Sequence, residues 1–175
     1  LGGVFMLLKK IAAILTVASI GATTFTSNKE VMAIDSASKA KEIVSNMTLE
    51  EKLGQMIMPD FRMWQEDGTK EPSDLTEINS EVAEVIDKYD LGGVILFAEN
   101  VKEISQTTTL IHDLQEVAIN DKDGNLPLLI TLDQEGGIVT RLGEGTNLPG
   151  NMALGATRSE KYSYDAGYLI GRELN

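Results

Sequence analysis

The sequence predicts an α/β chain built on a parallel sheet, and three observations carry that prediction. Two short runs, Val94-Ile95-Leu96-Phe97 and Leu128-Leu129-Ile130-Thr131-Leu132, are almost uninterruptedly apolar. Strands covered on both faces look like this, whereas a strand with one face in water alternates. Amphipathic helical patterns stand before, between and after the two runs, the alternation that builds parallel sheets. Each run ends abruptly in polar groups, Glu99-Asn100 after the first and Asp133-Gln134-Glu135 after the second, at the carboxyl end where (β/α)8 barrels place their sites.

Leu1 to Ala33 has the organisation of a secretory signal peptide: Lys9 and Lys10 form a positive region, Ile11 to Ile20 an apolar one, and Val31-Met32-Ala33 a small-x-Ala cleavage site. The apolar run is shorter than the ~18–20 residues that span a bilayer. The mature chain is therefore expected to start near Ile34, to keep no stable membrane span, and to be secreted or held at the cell surface.

Ser36 to Asn46 spaces Ala40, Ile43, Val44 and Met47 for one helical face. Thr48 opens a second helix, because Thr48 and Glu51 have the spacing of a capping box. Leu53, Met56 and Ile57 give that helix its apolar side, Pro59 ends the pattern, and Met56 and Met58 read as core filler. Phe61 to Thr76, polar and holding Gly68 and Pro72, reads as a loop. Its Trp64, the sole tryptophan, serves either as a stacking surface for a sugar or as an anchor pinning the loop, and the anchor is the better reading.

Ile78, Val82, Val85, Ile86 and Tyr89 mark one face of the next helix, which Asp90-Leu91-Gly92-Gly93 stops before the first apolar strand. A helix from about Lys102 to Ile119 follows. Asn120 to Asn125 is a turn cluster; its glycine comes too early and no glutamate stands at the twelfth position, so it is not an EF-hand. Gly143-Glu144-Gly145 lacks the third glycine of a dinucleotide fingerprint, Leu148 standing there, and a loop follows it. Leu148 to Thr157 reads as that loop. Ser159 to Asn175 reads as a closing helix with Tyr162, Ala166, Leu169 and Ile170 on its face and Gly167 and Gly171 allowing close packing on the sheet.

Composition narrows the function. The chain of 175 residues, 42% hydrophobic and 24% charged, is that of a globular domain. Its formal net charge of −12 repels phosphate backbones and argues against nucleic acid as a partner. With no cysteine there is no disulfide, thiolate zinc site, cysteine nucleophile or lipidated cysteine anchor. The single histidine, His112, lies beside the apolar face Val101, Ile104, Thr108, Ile111, Leu114 and Ala118 and reads as a helix-surface residue. No metal or organic cofactor is implied.

The stretch richest in chemistry is Leu128 to Arg141, LLITLDQEGGIVTR. Gly136 and Gly137 let the backbone turn sharply just past the acids. Asp133 and Glu135 admit three readings: solvated loop acids, a pair of catalytic carboxylates sharing a strand face at i and i+2, or sugar-binding acids that grip hydroxyls. Spacing does not separate them.

Three blocks in order, MTLEEKLGQMIMPDF (Met47–Phe61), LGGVILFAENV (Leu91–Val101) and DQEGGIVTRLGEGTNLPGNMALGAT (Asp133–Thr157), resemble family 3 glycoside hydrolases on the β-N-acetylglucosaminidase branch. The resemblance covers almost everything after the leader. It implies the N-terminal portion of a (β/α)8 TIM-like barrel, with 34–175 an incomplete domain that stops after the first few βα units. It implies a retaining glycosidase that hydrolyses terminal β-N-acetylglucosamine from cell-wall muropeptide or chitin-type fragments, its partner a carbohydrate. On it, Asp133 is a substrate-binding residue that holds sugar hydroxyls, and Arg141 supports the same pocket. The family's aspartate nucleophile and its histidine–aspartate proton donor, in a Lys-His-Phe-Pro-Gly-His-Gly type segment, have no counterpart here. Both are expected beyond Asn175, and the chain alone is expected to be inactive. The alternatives are a non-catalytic glycan-binding surface protein and a β-glucosidase-type member of the same family.

Overall fold

The computed structural model describes residues 36–66, 68, 71–119 and 126–175. The leader and the 120–125 turn lie outside the described residues. Residues 1–47 and 48–175 are separate units. In the first, helix α1 (36–46) forms where the spacing of Ala40, Ile43, Val44 and Met47 predicts it, with Lys39 and Glu42 paired at 3.2 Å on its surface.

The second unit opens with α2 (Leu49–Gly54). Its capping box is made in both directions: Glu51 N donates to Thr48 Oγ1 at 3.2 Å and Thr48 N to Glu51 Oε2 at 2.6 Å. These bonds, the backbone one foremost, hold the Glu51 carboxyl below its ordinary value. Beyond α2 the expected core filler is not core. The helix ends two residues short of Met56, so the apolar periodicity outruns the element. Met56 is 83% exposed and Leu53, Ile57 and Met58 are exposed too.

Phe61 to Thr76 is not a plain loop. β1 (Met63–Trp64) and β2 (Ser73–Asp74) pair antiparallel as a small hairpin. Trp64 donates its Nε1–H to Glu81 and meets Phe61 edge-on, ring centroids 5.9 Å apart. It is the anchor of this hairpin on the following helix.

That helix, α3 (Ser80–Tyr89), starts two residues later than the hydrophobic spacing suggests, because Asn79 takes the N-cap by accepting from Val82 N at 2.9 Å. It ends at Asp90 in the left-handed conformation, φ 46°. β3 (Gly93–Leu96), α4 (Ile104–Ile119) and β4 (Leu129–Leu132) follow. β3 and β4 are parallel, in register from Gly93↔Leu129 to Leu96↔Leu132. The core lies where β3 meets α3 and α4: Val82, Ile86, Val94, Leu96, Leu110 and Leu114 are all fully buried. A third parallel partner, the Asp60↔Ile95 bridge with Ile95 N donating to Pro59 O at 3.1 Å, lies on β3. It is too short and too close to Pro59 to show as a sequence pattern.

The β–α alternation and the parallel pairing are as expected, and no closed barrel is formed among the described residues. β4 departs from expectation. It alternates between exposed and half-buried, and Leu129 is 68% exposed, because β3 is its one strand partner among the described residues and one of its faces carries no covering layer.

The segment after β4 holds a helix the sequence did not show: α5 (Asn151–Ala156), N-capped at Gly150, inside the expected loop. α6 (Glu160–Glu173) then starts at its Ser159 cap. Ala166 is its one buried residue, Tyr162 and Leu169 are exposed, and a Cβ at Gly167 or Gly171 would meet nothing within 4 Å. The expected apolar face is therefore not formed, and the two glycines serve no close packing on the sheet. Among the described residues no helix is long and apolar enough to cross a membrane.

Candidate functional site

The carboxyl ends of three parallel segments meet at one level. The register that sets Leu96 beside Leu132 also brings Phe97 and Asp133 out of the sheet together, and the Asp60↔Ile95 bridge carries the chain on to Arg62. β4 is held in place by α4. Gln115 donates from Nε2 to Leu128 O at 2.8 Å and accepts from Leu128 N at 2.9 Å, satisfying both backbone groups just before the strand.

Past β3 the backbone is tied down by Asn100. This side chain is 1% exposed, accepts from Phe97 N at 3.0 Å, and donates to Phe61 O at 3.2 Å and Leu75 O at 2.9 Å. Asn100 is therefore a brace of three segments behind the site and does not present its amide to a ligand.

Past β4 the chain turns at once. Gly136 and Gly137 take left-handed φ of 77° and 60°, which makes the sharp turn expected of the pair. A Cβ on Gly136 would lie 2.6 Å from Pro149 O. Glu135 N donates to Val139 O at 2.8 Å and Gly137 N to Leu148 O at 2.8 Å. Because β4 stops at Leu132 and the loop begins at Asp133, the strand rule that would align the two acids on one face does not apply. They part company. Glu135 accepts from Asn151 Nδ2 at 3.2 Å and joins the wall of a 290 Å³ cavity with Gln134, Pro149 and Ala166. Asp133 is exposed, and its carboxylate meets no donor among the described residues.

Arg141 returns to the same end of the sheet. Its backbone N–H and that of Leu142 both donate to Gln134 Oε1, at 2.7 and 3.2 Å. Its guanidinium lies over the Phe97 ring, 5.6 Å from the centroid, and its Nε is buried with no acceptor. Among the described residues it has no ion pair. Arg62 bears on the same ring at 3.3 Å but is paired with Asp60 at 3.5 Å. The site thus presents one uncommitted carboxylate and one uncommitted guanidinium, an arrangement suited to accepting from and donating to neutral hydroxyl-rich ligands.

The sequence named Asp133 and Arg141. It missed Gln134, Phe97 and Arg62, although an amide between two acids and an aromatic closing an apolar strand were signals in view. His112 lies on the exposed side of α4 beside Asp113 and Glu116, as expected of a surface residue, and away from the strand ends.

Residues 48–175 match the glycosyl hydrolase family 3 N terminal domain. The chain belongs to this family. The Beta-hexosaminidase A of Pseudoalteromonas piscicida is 40% identical over 138 residues, which cover 74% of this chain and 23% of that protein. The Beta-hexosaminidase of Haemophilus ducreyi is 34% identical over 105 residues, covering 57% of this chain and 29% of its own length. The structure of a glycoside hydrolase family 3 beta-N-acetylglucosaminidase from Paenibacillus sp. str. FPU-7 superimposes with a TM-score of 0.61 at 38% identity, over 73% of this chain and 22% of that one. This family 3 chain therefore spans about a quarter of the length of the relatives it matches.

Proposed function

We propose that this chain is the substrate-holding front of a retaining family 3 glycosidase that hydrolyses terminal β-N-acetylglucosamine, in an exported protein acting on cell-wall muropeptide or chitin-type fragments. β3, β4 and the Asp60 segment are the first strands of its (β/α)8 barrel. The nucleophile and the acid/base group belong to segments outside residues 1–175, and Leu1 to Ala33 directs export. The family membership and the names of the similar proteins support the reaction class. The observation that carries the site is a pair of charges: of the two acids after β4, Asp133 alone is left without a donor among the described residues, while Arg141 is left there without an anion.

In this reading Asp133 accepts hydrogen bonds from sugar hydroxyls and Arg141 donates to a neighbouring oxygen. Each is a charge-assisted bond, stronger than a neutral one. Such bonds raise turnover to the extent that they tighten as the sugar distorts towards its oxocarbenium-like transition state. The test uses the full-length protein with an aryl β-N-acetylglucosaminide and the matching β-glucoside as substrates. Asp133→Asn is expected to lower kcat/KM on the first by about 10- to 100-fold, the worth of one hydrogen bond to a charged group. An unchanged kcat/KM removes Asp133 from the site, and faster cleavage of the glucoside removes the acetamido-sugar preference.

A further inference from the structure

The geometry points to Gln134 as a positioning residue that sets Arg141 against the sugar subsite, an inference that rests on the reading of Arg141 given above. Gln134 immediately follows Asp133, but where Asp133 is exposed its own side chain is half-buried. It turns back and accepts from two consecutive backbone N–H groups, Arg141 at 2.7 Å and Leu142 at 3.2 Å. Both partners are donors, so the amide must present its oxygen to them, and the orientation of the group is fixed by chemistry. One atom thereby ties the residue after the binding acid to the binding arginine.

The remaining supports of the loop do not do this. The bonds Glu135 N to Val139 O and Gly137 N to Leu148 O shape the glycine turn, and Thr140 Oγ1 donates to Gly137 O at 3.3 Å; none reaches Arg141. On its far side Leu142 packs against the core. Arg141 thus stands between a core anchor and the Gln134 clamp, with Phe97 under its guanidinium. Its side chain has no ion pair among the described residues to fix it. The main-chain clamp and the ring are what place the charge.

Substitutions separate this role from mere loop stability. Gln134→Leu keeps the bulk and removes the acceptor, so two half-buried N–H groups lose their partner. Gln134→Glu keeps an oxygen at the same reach, and the Nε2 it replaces has no partner among the described residues. Kinetics of the full-length protein on an aryl β-N-acetylglucosaminide are compared for Arg141→Ala, Gln134→Leu, Gln134→Glu and the double variant Gln134→Leu/Arg141→Ala, with the unfolding midpoint of each. Gln134→Leu is expected to lower kcat/KM about tenfold or more, mainly through KM, and Gln134→Glu to recover most of that loss. In the Arg141→Ala background Gln134→Leu is expected to add less than about threefold, because a residue acting through another has nothing left to position. If Arg141→Ala is impaired while Gln134→Leu keeps wild-type kcat/KM, or if the two losses multiply in full, the positioning role is wrong and the reading of Arg141 stands. If Arg141→Ala is itself unchanged, that reading falls first.

Discussion

Two amides behind the strand ends show what a single residue contributes and how far a sequence reveals it. Asn100 follows an acid and Gln134 stands between two, each just past an apolar run, and in sequence they look alike. Asn100 is fully buried, and its three partners come from Phe97, Phe61 and Leu75. Truncating it leaves two buried carbonyls and the half-buried Phe97 N–H unpaired, at about 1–3 kcal/mol for each buried group. Asn100→Ala is expected to cost about 3 kcal/mol or more, read as a fall in the urea midpoint without a change in slope; a shift within experimental error would show that water replaces the amide. Asp133 and Arg141 could be named as candidates because the motif that resembles the family carries them. Asn100, Gln134 and Phe97 could not, because their partners are backbone atoms or arginines brought near by folding, and a backbone carbonyl leaves no mark in the sequence that presents it.

Elements were legible where a local rule closes within a few residues. The Thr48–Glu51 capping box, the helix over α4 and the glycine turn after β4 all formed where spacing placed them, since each depends on neighbours in sequence. The hairpin β1–β2 and helix α5 were hidden, as a two-residue strand pair and a six-residue helix have no period to detect. The capping box makes a pH prediction. The Glu51 carboxyl is held below its ordinary value by Thr48. A depressed folded value means that its stabilisation is present above the unfolded glutamate range and is lost as pH falls through the folded value. Glu51→Gln is therefore expected to lower the melting temperature slightly at pH 7 and to match the wild type once the pH has fallen below the depressed folded value, where both side chains are neutral. A difference that persists in acid would mean the charge is not what matters. The join between α2 and α3 has no such tolerance. A Cβ on Gly54 would lie 1.8 Å from Tyr89 O, a clash with backbone that cannot swing aside, so Gly54→Ala is expected to exceed the ~1–3 kcal/mol usual for overpacking and to broaden or abolish the unfolding transition.

At the scale of the molecule, two properties of residues 1–175 oppose each other. The fold class was legible from the alternation of apolar strands and amphipathic helices. What each face packs against was not, because periodicity shows that a face is apolar and not what covers it. Leu53, Met56, Ile57, Met58, Leu129 and Ile138 are all exposed, and among the described residues β4 offers one edge without a partner. Surfaces of this kind associate, and open strand edges template pairing. Against this stands the net charge of −12, whose mutual repulsion between molecules reaches over a Debye length of about 30 Å at 0.01 M salt and about 3 Å at 1 M. The chain is therefore expected to stay dispersed at low ionic strength and to self-associate as sodium chloride is raised, with light scattering growing and an apolar dye brightening before any loss of helical circular dichroism. Scattering that grows only after the helical signal falls would place the association in the unfolded chain. A chain that stays monomeric and dye-negative up to 1 M salt would show that these faces are covered by a segment of the chain itself. Salt separates the two forces because it screens the charge and leaves the apolar attraction in place.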